Sequence, residues 1–67
     1  MFEAGNTYRY LEDSKSPDMF VFGINSQSTH VIYLAVAYLD RKTKDTLEIK
    51  SIALMKKDFP KWKLLED

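Results

Sequence analysis

Apolar and polar residues alternate with a period of two along much of this chain, and that alternation predicts strands. In TYRYL (7–11), Tyr8 and Tyr10 fall on one face. In DMFVFGI (18–24), Phe20, Phe22 and Ile24 share one face and Met19 and Val21 the other, while Gly23 marks a bulge or sharp bend. HVIYLAVAYL (30–39) is apolar on both faces, and WKLLE (62–66) reads as a short last strand. These runs are rich in aromatic and β-branched residues, the composition favoured on a pleated, half-buried surface. TLEIKSIALM (46–55) is two-sided: Leu47 and Ile49 alternate, then Ile52 and Leu54 resume after a one-residue slip that a β-bulge near Lys50–Ser51 would explain. The same residues are good helix formers, and Asp45 or Thr46 could cap a helix. The short flanking connections favour the strand.

Polar turns separate the runs: AGN (4–6), EDSKSPD (12–18), NSQST (25–29), DRKTKD (40–45) and the final break KDFP. Five short strands joined in this way predict an all-β meander that closes on itself to remove its edges, a small five-stranded barrel spanning residues 1–67 as a single domain. Phe20, Phe22, Ile32 and Leu34 are its expected core centre.

A chain of 67 residues has no room for a second domain. Folding at this size buries only about 60 % of the surface the unfolded chain exposes, so self-association is a natural further source of buried area. Without cysteine there is neither a disulfide nor a thiolate metal site. Ten basic and ten acidic residues cancel, which argues against a dedicated polyanion binder. The opening MFEAGNTYRY lacks the basic and apolar regions of a secretory signal. The longest apolar run, Val31 to Leu39, is nine residues, against about 20 for a bilayer-spanning helix. A soluble, cytoplasmic protein without membrane contact is expected.

The closing segment DFPKWKLLE resembles the end of Src-homology-3 domains, where a Phe-Pro or Ile-Pro pair opens a single 3₁₀ turn, an aromatic follows, and the last strand begins. Phe59-Pro60 matches, and Trp62 takes the aromatic's place one residue early. The resemblance implies an SH3-like barrel with one short 3₁₀ turn near residues 57–61. It does not extend to that family's ligand-binding signature, since neither Ala-Leu-Tyr-Asp-Tyr near the start nor a tandem Trp in mid-chain is present. Proline-rich peptide binding, which needs aromatics lining a groove, is therefore not implied.

Catalytic chemistry finds little to work with. His30 is the single histidine, and Ser28 and Thr29 beside it suit backbone bonding in a turn. Glu12, Asp13 and Asp18 flank one loop, but without the spacing of a calcium loop they read as a solvated acidic turn. Gly5 and Gly23 are the only glycines, so no glycine-rich phosphate loop exists. No catalytic residue, metal ligand or cofactor is assigned, and an enzyme is not expected.

Two surfaces remain. Lys57, Lys61 and Lys63 surround Trp62, a combination suited to single-stranded nucleic acid, where bases stack and amines track phosphates. The competing reading makes Trp62 a plug at the barrel's end. In the third strand, an inward Ile32, Leu34 and Val36 leave Tyr33, Ala35 and Ala37 outward on an apolar face, which monomeric proteins rarely leave in water. That face predicts a protein partner or a homodimer. The leading expectation is a non-catalytic protein-interaction module. Compact barrels of this kind are frequent among phage and prophage accessory proteins that inhibit a host factor. Nucleic-acid binding through the C-terminal corner is the alternative.

Overall fold

Each alternating or β-branched run forms a strand in the computed structural model, which describes residues 2–66. The strands are β1 (Thr7–Tyr10), β2 (Asp18–Gln27), β3 (Val31–Leu39), β4 (Thr46–Met55) and β5 (Trp62–Leu65), with one 3₁₀ turn, Lys56–Lys61, between β4 and β5. All pairings are antiparallel, in the order β4-β3-β2-β1-β5. The fold is thus an all-β five-stranded meander whose last strand returns to lie beside the first. The two-sided segment 46–55 is strand throughout.

The sheet does not close into the expected barrel: β4 and β5 end the strand order, and among the described residues they do not pair with each other. Between β4 and β5 lies the 3₁₀ turn, which carries Pro60, a residue with no N–H to give a ladder, and places Phe59 against the core.

Register decides which face is buried. Met19 pairs with Tyr38 and Val21 with Val36, so both lie on the face that carries Ile32 and Leu34 in β3. The core is Phe2, Tyr8, Met19, Val21, Ile32, Leu34 and Val36, with Tyr38, Ile52, Leu54, Phe59 and Trp62 packed partly against it. This reverses the expectation for β2. Phe22 is 52 % exposed and Phe20 half-buried on the outer face, where their rings meet edge to face at 5.1 Å. Ile32 and Leu34 are buried as expected.

The bulge expected at Gly23 is present, as a register shift between Val21 and Gly23. The one expected near Lys50–Ser51 is not: Lys50 pairs with Val36 and Ser51 with Ala35 without interruption, and the irregularity falls at Leu47, between Glu48↔Tyr38 and Thr46↔Leu39. The apolar slip in β4 comes from Glu48 and Lys50 occupying core-side positions in an exposed half of the strand, not from an added residue. NSQST turns later than expected. Strand β2 runs to Gln27, and Ser28 donates its amide to Val31 O at 2.8 Å around a two-residue Thr29-His30 loop.

Phe2 enters the core from outside the strands. Gly5, at φ +91°, supplies the left-handed residue for the turn that leads into β1, and its amide bonds Val21 O at 2.8 Å. Phe2 then packs edge to face on Tyr8 (4.6 Å) and Phe59 (4.9 Å). No helix of the described residues is long and apolar enough to cross a membrane.

Candidate functional site

The outer face of β2–β3–β4 is apolar in rows that follow from register. Phe20, Ala37 and Ile49 form one row, and Tyr33 and Ala53 belong to another, with Val31 beside Met55 at its end. Phe22, Tyr33, Ile49 and Met55 are exposed, and Ile49 is the most open at 66 %. Of the three β3 residues expected on this surface, Tyr33 is exposed and Ala35 half-buried, but Ala37 is only 3 % exposed and cannot itself meet a partner. Ala37 lies between Phe20 and Ile49, and its small side chain forms the floor of the patch. Phe22, Ile49 and Met55 were missed by sequence reasoning, because which face of β2 and β4 looks outward depends on register.

The C-terminal corner does not converge. Trp62 pairs with Tyr10 and Lys63 with Arg9 in adjacent positions of β5, so their side chains leave opposite faces of the sheet. The Trp62 ring is half-buried, 5.0 Å from Tyr10 and 5.9 Å from Phe2. With Phe2, Tyr8, Phe59 and Leu64 it lines a hollow of about 170 Å³. Lys57 is exposed, and Lys61 is exposed with its amine 3.2 Å from Asp58. The hydrogen bond to Asp58 holds the Lys61 ammonium above the usual lysine range. Trp62 is therefore a packing residue of this corner, with Lys57 and Lys61 exposed in the 3₁₀ turn before it and Lys63 on the other face of the sheet.

A charged centre that the sequence did not disclose lies at the start of β2. Asp18 is fully buried, and Arg9 donates to both its oxygens, Nε to Oδ1 at 2.8 Å and Nη2 to Oδ2 at 2.9 Å. Lys44 Nζ stands 3.6 Å and Arg41 Nε 3.9 Å from the same carboxylate. The hydrogen bonds from Arg9 hold the Asp18 carboxyl below the usual aspartate range, against the opposing effect of burial, with the charges of Arg9, Lys44 and Arg41 adding to it. Lys44 reaches this position from a left-handed backbone, φ 66°, in the β3–β4 turn. Arg41 also donates to the carbonyls of Ser16 (2.6 Å), Asp13 (3.0 Å) and Tyr10 (3.1 Å). It thereby straps the β1–β2 loop to the β3–β4 turn. Asp18 is matched by cations, and Asp13 Oδ1 accepts the amide of Lys15. Among the described residues no cluster of histidine and acidic side chains is placed to hold a metal ion. Ser28 bonds the backbone of Val31, as expected of it, and the His30 carbonyl accepts the Lys56 amide at 2.8 Å.

One further concavity gathers aromatics that are far apart in sequence. Tyr10, Tyr38 and Trp62, with Ser16, Pro17 and Glu48, line an open hollow of about 400 Å³. Burial, and then the charge of Glu48, push the Tyr38 hydroxyl above the usual tyrosine range. No protein-family model matches the chain, no curated protein matches its sequence, and no solved structure matches its fold.

Proposed function

We propose that this protein is a non-catalytic protein-interaction module, an SH3-like sheet that docks a protein partner on the outer face of β2–β3–β4. The observation that carries the reading is that Phe22, Tyr33, Ile49 and Met55 are all exposed on the outer face of three adjacent strands. Large apolar side chains scattered singly need no explanation, but four of them on one face of three adjacent strands, with Ala35 and Ala53 between, have the composition of an interface. The SH3-like part of the reading draws on the last strand, reached through one 3₁₀ turn that contains Phe59-Pro60.

A direct test compares partners captured from a lysate of the source organism by the native protein and by Phe22→Glu and Tyr33→Glu variants. Both substitutions lie at exposed positions and should leave the fold intact by circular dichroism. A protein retained by the native chain after nuclease treatment and lost with both variants supports the reading. Retention by the variants, or loss of all binding on nuclease treatment, overturns it.

A second reading within the same class has its own observation. The Tyr10–Tyr38–Trp62 hollow beside Pro17 supplies the aromatic lining that extended, proline-rich peptides use. Titration with a proline-rich peptide, followed by Trp62 fluorescence, tests it: no saturable change removes it. The nucleic-acid alternative retains only the lysines, because the Trp62 ring is engaged with Tyr10 and Phe2.

A further inference from the structure

Strand β4 ends the sheet, and among the described residues it has a neighbour on one side only. Which of its backbone groups face the open side follows from one bond. Lys56 donates its amide to His30 O at 2.8 Å, and Val31 pairs with Met55, so residues 30 and 56 form a hydrogen-bonded pair of the β3–β4 ladder. Such pairs recur at every second residue. The main-chain groups of Leu54, Ile52, Lys50 and Glu48 therefore turn toward β3, and those of Met55, Ala53, Ser51 and Ile49 turn toward the open edge.

We propose that this edge pairs with β4 of a second copy, antiparallel, about a two-fold axis at Ile49. A two-fold axis can pass through either kind of pair in an antiparallel ladder. Centring at Glu48 or Lys50 sets like charges against each other, centring at Ile52 sets Lys50 against Leu54, and centring at Leu54 sets Lys50 against Asp58 in the 3₁₀ turn. Ile49, Ser51, Ala53 and Met55, whose main chains face the open edge, remain. Centring at Ala53 sets Lys50 against Lys56 of the other copy, and centring at Ser51 sets both Lys50 and Glu48 against apolar residues, Ile52 and Leu54. Centring at Met55 sets Lys50 against Pro60, which lies in the 3₁₀ turn and cannot extend the ladder. Centring at Ile49 sets Glu48 of each copy against Lys50 of the other, twice. Glu48 and Lys50 are exposed on the core-side face and already 3.8 Å apart within one chain, so the two-fold axis joins four alternating charges. It also exchanges two main-chain hydrogen bonds between the Ile49 residues, and it brings together the two copies of Ile49, the most exposed large apolar side chain of each chain. Glu48 and Lys50 then lie in non-hydrogen-bonded pairs, the closer of the two kinds in an antiparallel ladder. The occupant of the edge is a second copy of this chain, and the product is a continuous ten-stranded sheet. This inference is independent of partner docking on the outer face, and failure of one leaves the other standing.

Charge exchange tests the register. Sedimentation equilibrium should give a dimer for the native protein. Glu48→Lys or Lys50→Glu alone should weaken it by about tenfold, since each places like charges opposite one another twice, and the double exchange Glu48→Lys/Lys50→Glu should restore it. Because the chain has no cysteine, Ile49→Cys provides a second readout. Hydrogen-bonded partners have Cα atoms about 5.5 Å apart, within disulfide reach, so this variant should oxidise to a covalent dimer and Ser51→Cys should not. A native monomer at high concentration overturns the proposal and makes Glu48 and Lys50 a block against edge pairing. A dimer that is indifferent to the charge exchange, or that cross-links through Cys at 51 instead of 49, overturns it equally.

Discussion

Arg9 grips Asp18 through two parallel hydrogen bonds, on a carboxylate that has no exposure to solvent. The register that pairs Thr7 with Phe20 and Tyr8 with Met19 brings Arg9 and Asp18 side by side when continued by one residue. Two-pronged guanidinium–carboxylate contacts are among the stronger hydrogen bonds in proteins. Asp18→Asn removes the charge and retains the shape, leaving Arg9, Arg41 and Lys44 to turn toward water. The expected loss is about 1.5–3 kcal/mol, the range for a hydrogen bond to a charged group, read from urea denaturation at neutral pH.

The same carboxylate predicts a pH dependence. An aspartate in the unfolded chain titrates near pH 3.9, roughly, and Asp18 in the folded protein titrates lower. As pH falls the unfolded state takes up its proton first, so stability contributed by Asp18 is present above the unfolded value and disappears through the folded one. Asp40, lowered by amide hydrogen bonds from Thr43 and then Lys42, acts in the same direction. The urea midpoint should drop between about pH 5 and pH 2, and the drop should be shallower in Asp18→Asn.

Met19 and Phe22 exchange the importance that alternation alone assigns them. Met19→Ala should destabilise by about 2–5 kcal/mol, as for other fully buried side chains. Phe22→Ala should lose about 1 kcal/mol, the contribution of its edge-to-face contact with Phe20. Thermal melts of the two variants decide the matter, and an unfolded Phe22→Ala protein would show that β2 faces the other way.

Trp62→Ala should lower stability by about 2–3 kcal/mol, less than a fully buried aromatic. At about 4–8 °C per kcal/mol for a domain of this size, the melting temperature falls by roughly 10 °C or more. Replacing Lys57, Lys61 and Lys63 together by Gln should leave it nearly unchanged. If nucleic acid binds at those lysines, the triple variant should flatten the salt dependence of affinity by about 0.7 in log–log slope per lost contact.

Strand positions were legible in the sequence because aromatic and β-branched residues recur with period two between polar turns. The side of each strand that meets the core was legible only in part. In DMFVFGI both faces are apolar, so period two says that Met19 and Phe20 point oppositely without saying which is inside. The pairing of Val21 with Val36 decides it, and pairing is a long-range property. Glu48 and Lys50 misled in the opposite way: charges at core-side positions mimicked a bulge, because β4 extends past the part of the sheet that is packed. Asp18 looked like a loop acid, since its counter-charges lie in two other segments, Arg9 in β1 and Arg41 and Lys44 in the β3–β4 turn. Ala37 looked like a surface residue by alternation, and its neighbours Phe20 and Ile49 cover it.

The return of β5 to β1 also sets an order of events in folding. Strands β2, β3 and β4 are joined by two short turns, so each pairing closes a small loop. The β1–β5 ladder, with Tyr8 opposite Leu64 and Tyr10 opposite Trp62, must close nearly the whole described chain. Loop-closure entropy delays such contacts until most others exist. The three-stranded β2–β3–β4 unit is therefore the expected nucleus, β1 can join it across the short loop 11–17, and β5 joins last. A lesion at Leu34 slows folding, whereas one at Leu64 mainly hastens unfolding.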